Sequence, residues 1–133
     1  MTNIRRQYLS DPGYEFEPLS ADIIGAALVV HKNLGPGFPE LVYQNAMCVA
    51  LGNRRLAYET QRMVQIQFEG VEVGRYWLDL VVSNRIIVEL KSVKSLVDIH
   101  FAQIRAYLKA SRLPVGLLMN FNEPVLRIRR FVN

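Results

Sequence analysis

Tyr76-Trp-Leu-Asp-Leu-Val-Val-Ser-Asn-Arg-Ile-Ile-Val-Glu-Leu-Lys-Ser92 is the stretch whose reading decides the fold of this chain. Tyr, Trp, Val, Ile and Leu fill two short runs, and Ser83-Asn84 supplies a turn signal between them, the pattern of a β-hairpin. Asp79, Glu89 and Lys91 interrupt these apolar runs. Charges inside a core are costly unless they are paired or bind metal. Side chains two apart on a strand share a face, so Glu89 and Lys91 point the same way as Ile87. Register decides whether Asp79 joins them. Tyr76, Leu78, Leu80 and Val82 form one face of the first strand; Ile86, Val88 and Leu90 form one face of the second. Aligning the two sets puts Leu80 opposite Val88 and Asp79 opposite Glu89. Residues 83–85 then make the loop, with Asn84 or Arg85 in the left-handed conformation.

Two carboxylates and an ammonium on one face suit a divalent cation. Mg²⁺ prefers hard oxygen ligands and usually takes one or two carboxylates. Asp79 and Glu89 are the candidate ligands, and the backbone carbonyl of Leu90 can add a third. Lys91 is placed to orient an attacking water or to stabilise charge developing on phosphorus. The same residues also fit an edge hairpin with a solvated Asp and a surface Glu–Lys pair, and spacing alone leaves both readings open.

Asp79, nine further residues, then Glu89-Leu90-Lys91 on adjacent strands resembles the PD-(D/E)XK nuclease superfamily, with Leu78 where the proline of that name would stand. A second resemblance lies upstream. Gly37-Phe-Pro-Glu40-Leu-Val-Tyr43 has the form G-x-x-E-x-x-Y and is similar to the signature of the small GxxExxY proteins, a branch of that superfamily. The likeness runs from about Ser20 to Arg129 and includes the Leu-Gly-Pro-Gly turn and Asn120-Phe-Asn. It implies that Glu40, on an early helix, completes the metal site. Gln103-x-x-x-Tyr107 is similar to a motif of the RecB-like exonuclease branch, which implies that both residues lie beside the metal and hold the substrate.

The 133 residues, half of them hydrophobic and 21% charged, suit one globular domain with a single core. No apolar run approaches the roughly 18 residues of a membrane helix, and the N-terminus lacks a signal-peptide core. Cys48, the single cysteine, reads as a small buried hydrophobe and fits a reducing, cytoplasmic setting. The net charge of +4 permits nucleic-acid binding without demanding it. Basic residues gather loosely at Arg54, Arg55 and Arg62, at Arg105, Lys109 and Arg112, and at Arg127, Arg129 and Arg130.

Along the chain, residues 1–18 read as an extended lead-in. Ser20 is a good N-cap for a helix running to about Leu34 and stopped by Gly35-Pro36-Gly37. His31 near its end reads as a structural surface residue. A second helix opens at Pro39 and runs to about Leu51, with apolar positions at Leu41, Ala46, Val49 and Ala50 and a stripe of Glu40, Tyr43 and Met47. Residues 56–73 read as strands turning at Glu69-Gly70, a meander leading into the central hairpin. Asp98 can cap a helix whose core face is Val97, Phe101, Ile104 and Leu108. His100 reads either as a surface residue or as a substrate contact. The run from Pro114 to Asn120 is a buried strand parallel to that of Glu89, and Leu126 and Ile128 lie on a last strand.

Together these features predict an α/β fold, a restriction-endonuclease-like mixed central sheet flanked by helices. The predicted activity is Mg²⁺- or Mn²⁺-dependent hydrolysis of phosphodiester bonds, with DNA favoured as partner and RNA possible. The predicted catalytic set is Glu40, Asp79, Glu89 and Lys91, with Asp79, Glu89 and Leu90 on the metal and Gln103 and Tyr107 on the substrate. A nucleic-acid-binding or assembly module that keeps the fold without turnover is the alternative. The small size leaves room for a homo-oligomer or a protein partner to supply specificity.

Overall fold

The computed structural model describes residues 17–133. Nearly all of the expected lead-in lies outside them. Its end differs from the expectation, because Pro18 opens a helix instead of closing an extended segment. Helix α1 runs Pro18–Leu34, with Glu17 extended at the N-cap and proline in the first turn. There proline costs no hydrogen bond, since the first helical N–H groups have no intrahelical acceptor. Ser20 is therefore inside the helix and buried, and its hydroxyl donates weakly to Glu17 Oε2 at 3.4 Å. Gly35, at φ 69°, ends the helix by donating its N–H to the His31 carbonyl at 2.8 Å. A side chain rarely adopts that φ, which is why glycine stands here.

Helix α2 runs Glu40–Asn53. Its buried residues are Tyr43, Gln44, Met47 and Leu51, while Leu41 and Val49 are more than 60% exposed. The apolar positions expected at Leu41 and Val49 thus face outward; the steps of four through Tyr43, Met47 and Leu51 form the seam that packs.

Five strands follow: β1 Tyr58–Phe68, β2 Val71–Val82, β3 Ile86–Lys91, β4 Val115–Asn120 and β5 Arg127–Val132, with helix α3, Asp98–Ser111, between β3 and β4. They lie side by side in chain order. The pairs β1–β2, β2–β3 and β4–β5 are antiparallel and β3–β4 is parallel, so the sheet is mixed. Among the described residues it is flanked by three helices, α1 and α2 on one face and α3 on the other. This is the α/β, restriction-endonuclease-like architecture the sequence predicts. No described helix is long and apolar enough to cross a membrane.

The two faces of the sheet bury separate clusters. Leu80, Val82, Ile86, Val88 and Leu90 pack with α1 and α2; Leu78, Val81, Ile87 and Leu118 pack with Ile104 and Leu108 of α3. α3 sits close to β4 because Gly116 has no side chain: a Cβ there would come within 2.9 Å of Ile104 Cδ1. The cap of α3 also differs from the expectation. Asp98 is the first helical residue, and the Val97 N–H donates to His100 Nδ1 at 3.0 Å. His100 therefore holds the start of its own helix.

Candidate active site

The hairpin register agrees with the sequence reading: Leu80 pairs with Val88, Val81 with Ile87 and Val82 with Ile86. Residues 83–85 form the loop, closed by an Arg85 N–H to Val82 carbonyl bond of 3.0 Å. Ser83 and Asn84, at φ 52° and 54°, take the left-handed conformation. The sequence reading allowed Asn84 or Arg85; Ser83 takes the place of Arg85 because successive positive φ angles give the two central residues of the Val82–Arg85 turn the primed form that suits twisted strands.

Beyond Leu80 and Val88 the two strands stop pairing, and carboxylates occupy the gap. Asp79 Oδ2 accepts the Leu90 N–H at 3.0 Å, and Glu89 Oε1 accepts the Asp79 N–H at 3.2 Å. Each acid thus satisfies a backbone N–H at the point where the strand pairing stops. The expected single face of Tyr76, Leu78, Leu80 and Val82 is not kept. Leu78 packs with α3, whereas Leu80 and Val82 pack with α1 and α2. The strand rolls over at Asp79. On β1 the residue between the pairs Thr60–Leu80 and Arg62–Leu78 is Gln61, which has φ 53°. A non-glycine residue in that region within a strand is uncommon and tends to mark functional sites. Gln61 Nε2 donates to Gln44 Oε1 of α2 at 3.3 Å, which ties this irregularity to the helix that carries Glu40.

Electrostatics follow from depth. Glu89 is 2% exposed and Asp79 8%. Burial, and then the charge of Asp79, push the Glu89 carboxyl up from 4.5 to about 8; the Asp79 N–H and Lys91 oppose this. Asp79 is also raised, by burial, against the pull of the Leu90 N–H and Lys91. Tyr76 donates its hydroxyl to Glu89 Oε2 at 3.4 Å and is held far above the usual phenol range by burial and by its neighbours Tyr107, Glu89 and Asp79. Lys91 Nζ donates to Gln103 Oε1 at 3.2 Å, and Tyr107 stacks on Tyr76 with ring centroids 3.9 Å apart. α3 thus brings Gln103 and Tyr107 to the carboxylates, four residues apart on one helical face.

Glu40, the first residue of α2, enters from the other side. The residue is largely exposed, yet partial burial of its carboxyl and the charge of Asp79 raise its pKa, while Lys91 lowers it. It lies within electrostatic reach of both. The spacing of its motif has a physical basis. Tyr43, three residues on, donates its hydroxyl to the Gly35 carbonyl at 2.6 Å and accepts the Phe38 N–H at 3.2 Å. Its ring stacks on Phe121 at 4.7 Å. Asn122 Oδ1 accepts the Gly37 N–H at 3.0 Å, and Ser92 Oγ donates to the Phe38 carbonyl at 2.7 Å. The loop presenting Glu40 is thereby fastened to the residue after Lys91 and to the end of β4.

Tyr76, Gln44 and Gln61 also belong to the site, and sequence reasoning did not single them out for it. Tyr76 was legible as an aromatic three residues before Asp79; the two glutamines carry no sequence signal. Asn120 is buried, exchanging hydrogen bonds with the backbone of Val93 and fixing the chain beyond Lys91. His31 bonds the Glu123 carbonyl at 2.8 Å and takes no part.

The donors fit a hard cation. Among the described residues no three His, Cys, Asp or Glu side chains form a ready-made cage. Mg²⁺ and Mn²⁺ sites commonly have only one or two carboxylates, the remaining positions being backbone oxygens, waters or substrate. N–H and C=O of one strand residue point to the same side. The Leu90 N–H bonds Asp79, so the Leu90 carbonyl opens toward the same gap. Two carboxylates and one carbonyl, all oxygen, therefore border the opening.

A model of the PD-(D/E)XK nuclease superfamily matches residues 17–131. One solved structure, "Crystal structure of SSO0001", is similar at 17% identity and a TM-score of 0.48, covering 99% of this chain and 74% of that one, a likeness too slight to bear on function. No curated protein sequence matches the chain significantly. The match over nearly the whole described length shows that the chain belongs to the PD-(D/E)XK nuclease superfamily.

Proposed function

We propose that this protein hydrolyses phosphodiester bonds in nucleic acid, DNA foremost, with Mg²⁺ or Mn²⁺ held by Asp79, Glu89 and the Leu90 carbonyl. The observation that carries this reading is the gap between β2 and β3, where two nearly buried carboxylates and a backbone carbonyl converge beside a lysine. An isolated buried carboxylate pair is unfavourable, and a cation would relieve it. The motif match of Gly37, Glu40 and Tyr43, together with the Tyr43 hydrogen bonds, supports placement in the GxxExxY branch.

A bound divalent ion would polarise a phosphoryl oxygen and acidify water. The chain's own residues do the rest. Lys91, steadied by Gln103, presents an ammonium to the water and to the phosphoryl oxygens as negative charge grows there. The water oxygen forms a bond to phosphorus and gives its proton to a carboxylate, while the bond to the leaving oxygen breaks and that oxygen takes a proton from solvent to leave as the hydroxyl. Glu40, with its raised pKa and its open side toward solvent, is the carboxylate suited to take the water's proton. Tyr76 keeps its proton and fixes the orientation of Glu89.

The test is incubation of wild-type protein and Lys91→Ala with end-labelled single- and double-stranded DNA and RNA, with Mn²⁺ or with EDTA. Metal-dependent cleavage, reduced about 100-fold or more in Lys91→Ala, is expected. If nothing is cut under any condition, the hydrolase reading falls and the fold serves as a binding or assembly module.

A further inference from the structure

A groove of about 810 Å³ runs between β1 and the C-terminal half of α3, apart from the carboxylate gap. We propose that it is the track for a single-stranded nucleic-acid segment leading to the site, an inference that rests on the nuclease reading above. Arg62, Lys109 and Arg112 line it, and no Asp or Glu does. Lys109 and Arg112 form no ion pair among the described residues. Arg62 Nε pairs with Glu59 at 3.0 Å, and 34% of its side chain stays exposed to the groove's occupant. This is charge complementary to a phosphodiester backbone.

The wall of the groove supplies the remaining chemistry. The β1 strand from Arg62 to Gln67 forms one side of the groove, with Val64 turned toward α3. Tyr107 lines the groove and stacks on Tyr76, whose hydroxyl bonds Glu89, so the aromatic pair joins the groove to the carboxylates. Cations along a trough with an aromatic platform are the features that hold single strands, where bases are free to stack. A duplex hides its base faces and gains nothing from Tyr107. A peptide added to the exposed edge of β1 would use the strand backbone and leave the three cations unanswered.

The test is fluorescence anisotropy with a labelled thymidine oligonucleotide and a matched duplex, in EDTA so that no hydrolysis intervenes. Lys109→Ala/Arg112→Gly removes two of the three charges; glycine suits position 112, where φ is 61°. We expect tighter binding of the single strand than of the duplex. Three phosphate contacts give log K against log salt a slope of about −2, and the double variant should bring it to about −0.7. No binding by wild type, tighter binding of the duplex, or an unchanged slope in the variant would each overturn the groove. The two readings fail separately. A slope that falls as expected, with no cleavage in Mn²⁺, keeps the groove and removes the hydrolase. Metal-dependent cleavage with an unchanged slope does the reverse.

Discussion

Glu89→Gln should stabilise the metal-free protein at neutral and alkaline pH. Glu89 is 2% exposed, and its carboxyl is pushed from 4.5 to about 8 by burial and by Asp79. The fold favours the neutral form, so this contribution is fully present below about 4.5 and is lost as pH rises through about 8. pH 7 lies about 2.5 units above the unfolded value of 4.5 and still below the folded one, so at ~1.4 kcal/mol per unit the cost at that pH is on the order of 3 kcal/mol. Glutamine keeps the acceptor for the Asp79 N–H and cannot ionise. At ~4 °C per kcal/mol, the metal-free variant should melt roughly 10 °C above wild type near pH 7 and match it near pH 4.5. Scanning calorimetry across pH 4–9 in EDTA reads this directly. Mg²⁺ should raise the wild-type Tm at pH 8 and leave that of the variant nearly unchanged. Parallel Tm–pH curves for the two proteins would refute the reasoning, because the Glu89 charge would then cost the fold nothing.

Three further outcomes follow from other parts of the structure. Tyr43→Phe removes a hydroxyl that serves both Gly35 and Phe38, and should cost about 1–2 kcal/mol by denaturant titration while lowering cleavage further, because the Glu40 loop loosens. Gly116→Ala would force Ile104 aside from a 2.9 Å contact, costing roughly 1–3 kcal/mol in the same titration and displacing Gln103 along with α3. Burial and Lys91 lower the His100 pKa, and its Nδ1 must be unprotonated to accept the Val97 N–H. The cap should be present above the ordinary histidine value and be lost as pH falls through the lowered one, seen as faster hydrogen exchange in the first turn of α3; His100→Ala should abolish this dependence.

Much of this was legible because period and register are local. Leu80 opposite Val88 follows from aligning two apolar rows, and with it the meeting of Asp79 and Glu89. The helix–strand order and the parallel pairing of β3 with β4 follow from spacing, while the nearness of Gln103 to Lys91 was implied by the motif resemblance alone. What escaped the sequence depends on contacts between distant elements. The roll of β2 at Asp79 needs Gln61 in a left-handed conformation opposite it, and nothing in Thr-Gln-Arg announces that. The outward turn of Leu41 and Val49 is decided by which side of α2 meets the sheet, not by hydrophobicity. The role of His100 depends on a bond to its own helix start, which displaced the expected Asp98 cap.

The central claim is that the gap between β2 and β3 is a cation site. A crystal structure of the protein soaked in Mn²⁺, with anomalous scattering recorded, tests it most directly. A Mn²⁺ peak within bonding distance of Asp79, Glu89 and the Leu90 carbonyl, absent from Asp79→Asn, is the predicted result. Mn²⁺ bound elsewhere, or an unchanged Asp79–Leu90 hydrogen bond with no ion beside it at millimolar Mn²⁺, would contradict the account.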